Sequence, residues 1–443
     1  MRKITGKSKI IFYALSGMGI NMLNIMVGSY LCSALLIGGF GAAAIPFQTY
    51  AQKDLIIPAV WAIFSFAAKI IDGIIDIPMA SFSDRLQTRW GRRRPSILLG
   101  MVMTIVFYLL FLVIPHDGAS IGNTIYYGII LCLYYAFYTL TMVSYYATYT
   151  EIVETTEERN ILSNAKSVFD IVYFILGYVA VRMLLNGLNI RTVALIVLPI
   201  SLTMLIPLFM IKEKSTASDA EESVETVKLF QSLRLTFKNK DFIVWMVIYS
   251  FMTFGVQLFL GGINEYFSYV HMNMIMVMLA AFVPVPFMLS VYNKLIKKRG
   301  FGFAYRYVLV MYIFAMTFMG IVGLLEDGTV KNVLAIVAGL SSSAAVGALF
   351  AVAYSVPSQL AADEEKKTGI SNSAMYFAVQ GLFAGVASGV ATGVVLTALK
   401  GSETNQTGAI RYMTLIAAAG CFIALLLTRM LPQTIREMGK MKK

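Results

Sequence analysis

Three ionisable side chains sit inside an otherwise apolar run, Lys69-Ile-Ile-Asp72-Gly-Ile-Ile-Asp76-Ile-Pro78. At about 100° per residue, Lys69, Asp72 and Asp76 project within roughly 60° of one another, on one face of a helix. A charge at mid-bilayer costs about 2.5–3.5 kcal/mol on insertion scales, so this face should meet a protein interior or a water-filled cavity. Two carboxylates one turn apart repel when both are ionised, and the repulsion is relieved by a proton, a cation or Lys69. The chemistry indicated is binding and release of a positive charge. The alternative is a structural ion pair, Lys69 to Asp72, that only fixes helix packing and leaves the second carboxylate unexplained.

The elements that would position these groups are membrane helices. Of 443 residues, 58% are hydrophobic and only 14% charged, and the mean hydropathy is +0.73. Such a chain is an all-α polytopic membrane protein, located in the cell membrane. The net charge of +12 is scattered through the gaps between apolar runs without forming a patch, so it reports topology and gives no case for nucleic acid. Runs long enough to span fall at about 9–36, 56–83, 95–115, 121–149, 164–186, 192–212, 241–269, 272–293, 303–325, 331–357, 370–399 and 408–431, giving twelve helices. With the amino terminus in the cytoplasm, only Lys53, Arg191, Lys331, Lys400 and Arg411 fall outside, and Lys69 and Arg182 in the membrane. The positive-inside rule therefore puts both termini in the cytoplasm. No cleavable leader is expected, since the first run continues past residue 30 without a short apolar region and a small-residue site.

Catalytic apparatus is not indicated, and the chain reads as no enzyme. Cys32, Cys132 and Cys421 lie far apart within apolar runs without metal-like spacing, and His116 and His271 lie at the outer ends of runs. No phosphate-binding loop or nucleophile elbow occurs, and no cofactor is expected beyond a coupling ion.

One long polar interruption, 213–240, separates residues 1–212 from 241–443. Its first part, Glu213-Lys-Ser-Thr-Ala-Ser-Asp-Ala-Glu-Glu222, reads as a flexible linker. Its second, with Val227, Phe230, Leu233 and Phe237 at helical spacing, reads as an interfacial helix. Pro78 and Pro286 are separated by the same length of chain as Leu162-Ser-Asn-Ala-Lys-Ser-Val-Phe169 and Ile370-Ser-Asn-Ser-Ala-Met-Tyr-Phe377, and as Gly177 and Gly385. The charged turns Glu157-Glu-Arg159 and Glu364-Glu-Lys366 match within one residue of that offset. Two six-helix, pseudo-repeated bundles follow, the architecture of the major facilitator superfamily, with the substrate site between halves near the midplane.

The stretch from Lys69 through Asp72, Asp76, Ser83-Asp84-Arg85 and Trp90-Gly-Arg92-Arg-Arg-Pro95 resembles the signature of the glycoside-pentoside-hexuronide:cation symporters, the melibiose permease-like family of that superfamily. Ser232-Leu-Arg-Leu-Thr-Phe-Lys-Asn-Lys-Asp241, Glu265-Tyr-Phe-Ser-Tyr-Val270, Asp363-Glu-Glu-Lys-Lys-Thr-Gly369, Tyr376 and Val379-Gln380 extend the likeness over nearly the whole chain. The resemblance implies symport of a small-molecule substrate, a glycoside, oligosaccharide or sugar acid, with a monovalent cation, by a monomer. It places Asp72, Asp76 and Thr139 at the cation site. Ile75 and Met142 stand where family members carry oxygen ligands, which favours a proton, with sodium the alternative. Asn21 stands where a sugar-gripping Asp is found, and Gly385 where a Lys is found, so galactoside specificity is not implied.

Other candidates come from the residues themselves. Asn21 and Asn24 share a face, and Tyr135, Thr139, Met142, Tyr146 and Tyr149 fall on one arc of the fourth run, able to stack on a sugar ring and offer hydroxyls or simply to pack helices. Lys69, Lys166 and Asp170 join them as substrate-binding candidates, as do Tyr376 and Gln380 by the family resemblance, Asp170 being a partner for Lys166 or a contact of its own. Glu265 is a substrate contact, a solvated side chain or a partner of Arg182. Gly381, Gly385, Gly389 and Gly393 form a small-residue packing stripe, and Pro284, Pro286 and Pro357 are candidate bends. Asp84, Arg85 and Arg92 resemble the superfamily's cytoplasmic gate, or are positive-inside anchors. Rival readings are an amphiphile or lysolipid carrier, and a nutrient receptor that binds without transport.

Overall fold

A computed structural model describes residues 6–40, 47–153, 156–211, 213, 236–368, 373–401 and 408–440. Among them every regular element is helical. Among the described residues nine helices are long and apolar enough to cross a membrane, or ten if the bent pair Met274–Phe282 and Val285–Arg299 is one span. The second and fifth of the twelve expected runs are helical too, as Pro58–Ile74 with Asp76–Arg85, and as Thr156–Ile175 with Leu176–Ala180 and Val181–Leu184. Outward faces are apolar at helical spacing, as at Leu99, Val102 and Val106, and at Val310, Phe314 and Ile321, which suits lipid as solvent.

The chain divides into two compact units, Met1–Ile37 with Ala44–Val224, and Gly38–Ala43 with Glu225–Lys443. In the first, phenols tie helices together: Tyr145 donates to the Tyr13 carbonyl at 3.0 Å, Tyr108 to Ala194 at 2.9 Å and Tyr50 to Phe111 at 3.0 Å. In lipid, where apolar surface gives no net drive to pair helices, such bonds contribute about 0.6–2 kcal/mol each. Tyr30 donates at 2.9 Å to the carbonyl of Gly177, which lies in the π-turn Leu176–Ala180. Widening a helix by one residue frees carbonyls from the regular ladder, and Tyr30 takes one of them. The eleventh run widens likewise at Gly389–Val395.

Prolines decide where two helices break. Pro78 has no N–H and its ring crowds the carbonyl of Ile74, and the helix ends there, resuming at Asp76. Pro286 does the same to Phe282, and the two segments meet at 40°. The breaks recur at the spacing that relates the two prolines in sequence. Pro357 differs, because the helix Thr329–Thr368 runs straight through it. That helix and Thr156–Ile175 also contain the charged stretches at 364–366 and 157–159, which are therefore helix and not turn. Glu, Lys and Arg are good helix formers, so the helix continues past the apolar stretch.

Of the expected linker and interfacial helix, residues 214–235 lie outside the described residues, Val227, Phe230 and Leu233 among them. Glu213 is fixed: its carboxylate accepts from the backbone N–H of Arg93, at 3.0 and 3.2 Å, and of Arg94, at 3.3 Å. These are the first residues of Arg93–Phe111, where unpaired N–H groups and the helix dipole favour an anion. Gly91, at φ 87°, leaves the space that Glu213 fills. Glu213→Ala should cost about 1 kcal/mol of stability, and Glu213→Gln less, since the amide still accepts but carries no charge. Thermal unfolding in detergent checks this, and identical melting of all three proteins would contradict it.

Candidate functional site

The broken helix places the charged groups. Lys69 lies on Pro58–Ile74 with its Nζ 4.0 Å from the centre of the Tyr135 ring and 3.9 Å from Asp72 Oδ2. Thr139 donates to Asp72 Oδ1 at 3.4 Å. The side chains of Lys69 and Asp72 keep 19% and 30% of their surface exposed, so the pair borders open space in a part of the chain where charge facing lipid is costly. Asp76 lies beyond the break, in the first turn of Asp76–Arg85. Ile75 joins the two segments in helical conformation, its N–H donating to Ile71 O and its carbonyl accepting from Met79 N–H at 2.9 Å each, so Asp72 and Asp76 stay one turn apart along the chain. Asp72 has an ammonium and a hydroxyl beside it, whereas no described residue pairs with Asp76.

Asn21 and the fourth run extend this surface. Tyr138, stacked on Tyr134, donates to Asn21 Oδ1 at 2.9 Å. The buried Asn24 Oδ1 has no partner among the described residues. Tyr146 is 36% exposed, and the Lys166 ammonium stands 5.3 Å from its ring. Lys166 Nζ pairs with Asp170 Oδ2 at 2.5 Å, one turn along the same helix. Thr139 and Tyr135 are buried. Tyr135 therefore acts as the platform beneath Lys69, and its ring is not open for stacking on a ligand.

The candidates of the second unit do not present themselves as ligand groups. Tyr376 is buried, its hydroxyl accepting from Asn239 Nδ2 at 2.6 Å and its ring against Phe242. Gln380 accepts from Trp245 Nε1 at 3.4 Å. Both face the helix Lys240–Gly261, whose start Asn239 caps through Phe242 N–H, and they tie two helices together. The sequence leaves Glu265 to a substrate, to water or to Arg182; the structure pairs it with Lys400, whose Nζ is 2.6 Å from Glu265 Oε1. Glu265 is fully buried and Lys400 nearly so. The contact lies off the hydrogen-bonding direction of the carboxylate, so it holds by charge. Gly39 covers it: a Cβ there would meet Lys400 Cγ at 2.8 Å and Glu265 Cγ at 3.0 Å. Phe40 adds its ring 5.9 Å from the ammonium.

At the expected gate, the side chains of Asp84 and Arg85 lie outside the described residues and Arg92 is exposed. Arg93, part of the basic stretch from Trp90 to Pro95, donates to Ser83 Oγ at 3.2 Å, and Ser83 bonds Ser144 at 3.0 Å. His271 ties two loops, its Nδ1 2.8 Å from Asp327, which also takes Lys331. These two hydrogen bonds hold the Asp327 carboxyl below the usual range. Lys400, Glu213 and Tyr138 are the residues that sequence reasoning misses. Only Lys400 left a signal, as a cation closing an apolar run.

Comparison with known proteins gives the frame for this geometry. The family model described as MFS/sugar transport protein matches residues 12–430. The chain is 33% identical over 128 residues to an uncharacterized symporter of Synechocystis, covering 28% of this chain and 24% of that protein. It is 33% identical over 100 residues to the lactose permease of Lactobacillus helveticus, covering 22% and 16%. The matched stretches span a quarter or less of either relative. In fold it is similar to the nucleoside transporter NupG, at TM-score 0.63 and 12% identity over 95% of this chain and 98% of that one. It is also similar to a bacterial homolog of the human lysosomal transporter Spinster, at TM-score 0.59 and 13% identity, with 97% of each covered. A family model spanning nearly the whole chain leads to one conclusion: the chain belongs to the MFS/sugar transport protein family, multi-pass membrane transporters.

Proposed function

We propose that the chain is a symporter that couples entry of a glycoside, oligosaccharide or sugar acid to a proton by alternating access, as a monomer of twelve spans with both termini in the cytoplasm. The observation that carries the coupling is the pair of intramembrane carboxylates, Asp72 held by Lys69 and Thr139, and Asp76 one helix break away without a partner among the described residues. Neutral hydrogen-bonding groups at Asn21, Tyr138 and Tyr146, with the Lys166–Asp170 pair, support a polyhydroxylated substrate. A desolvated metal cation wants several oxygen ligands, and a proton needs one acceptor. The side chains of Ile75 and Met142 carry no oxygen, which favours the proton.

In proteoliposomes an inwardly directed pH gradient without sodium should drive accumulation of a labelled glycoside. A strict sodium requirement at constant pH overturns the proton assignment. Tight binding of single-chain lysolipids, with no competition from any sugar, overturns the sugar reading and favours a lipid carrier.

A further inference from the structure

We infer that Asp170 sets the charge selectivity of the substrate site: by cancelling Lys166 it makes this face accept an uncharged polyol and reject a sugar that carries a carboxylate. The inference rests on the sugar-transport reading above and narrows it. Lys166 and Asp170 keep 27% and 34% of their side-chain surface exposed. The Glu265–Lys400 pair, by contrast, is sealed at 0% and 4%. A sealed pair serves packing, whereas an open one beside an exposed aromatic ring can be reached by a ligand. Tyr146 supplies that ring, 5.3 Å from the Lys166 ammonium.

The donor and acceptor count fits a polyol. The Asp170 oxygen that faces Lys166 is engaged, and its second oxygen can accept from a sugar hydroxyl. The ammonium has three donors, one directed at Asp170, leaving others for a hydroxyl or ring oxygen. Tyr146 offers an apolar surface to the sugar's C–H face. A uronic acid would bring a carboxylate beside Asp170 and find Lys166 already neutralised. Lys69, the other ammonium of this surface, is held in the same way by Asp72.

The test uses p-nitrophenyl β-glucoside and p-nitrophenyl β-glucuronide, which differ only in the C6 carboxylate, with the galactoside and galacturonide as a second pair. Binding is measured on purified wild type, Asp170→Asn, Asp170→Ser and Lys166→Gln/Asp170→Asn, each first checked for cooperative thermal unfolding. Wild type should prefer the neutral member by about tenfold or more, the scale expected of one like charge at close range. Both single variants free Lys166 and should lose or reverse that preference by gaining affinity for the uronide. The double variant, without the cation, should lose that gain. Equal binding of both members by wild type, or an unchanged ratio in Asp170→Asn and Asp170→Ser, overturns the inference and leaves the sugar reading standing. Binding of neither pair by wild type overturns the sugar reading and the inference with it.

Discussion

Asp76→Asn should abolish uphill accumulation while leaving downhill exchange of substrate intact, and Asp72→Asn should abolish both accumulation and most exchange. The difference comes from the surroundings of the two carboxylates. Asparagine matches the shape of aspartate but carries no titratable charge, so neither variant can take up and release a coupling ion at that position. Asp76 stands beyond the helix break, and its replacement leaves Lys69, Asp72 and Thr139 as they are. Replacing Asp72 removes the counter-charge of Lys69 and leaves a cation in the membrane region without its partner. Such a group costs about 2.5–3.5 kcal/mol at mid-bilayer. Counterflow in proteoliposomes reads exchange, and accumulation under an imposed gradient reads coupling. If both variants concentrate substrate as wild type does, the cation-site assignment is wrong.

The second large effect is on stability. Lys400→Met should destabilise the protein by about 3–5 kcal/mol, because it leaves the buried Glu265 carboxylate without its cation. That is a large share of the roughly 5–15 kcal/mol by which a folded protein exceeds its unfolded state. Glu265→Gln/Lys400→Met removes both charges and should recover most of the loss, since a paired charge gives little net stability over apolar neighbours of similar size. Unfolding in detergent, followed at the same protein and detergent concentrations for wild type and both variants, measures the difference. A double variant as unstable as the single one would mean that the Lys400 side chain matters through packing against Gly39 and Phe40, and not through charge.

What the amino-acid sequence determines here is whatever depends on one residue's own chemistry or on neighbours along one helix. Its composition requires a membrane, because 58% hydrophobic residues cannot be buried in a soluble domain. The break before Asp76 follows from Pro78, which lacks a donor and crowds Ile74 wherever it is placed in a helix. The Lys166–Asp170 pair is legible because residues one turn apart lie side by side on any helix.

Tertiary structure decided the partners that lie on different helices. Glu265 takes Lys400, a residue that serves in the sequence only as a topological marker. Tyr376 and Gln380 turn towards Lys240–Gly261 and tie two helices together. Glu213, at the head of a polar stretch, caps a helix that begins at Arg93. Each of these contacts depends on the rotation of two helices about their axes and on their closest approach. Those are set by packing over many side chains at once, and a local period of 3.6 residues carries no information about them.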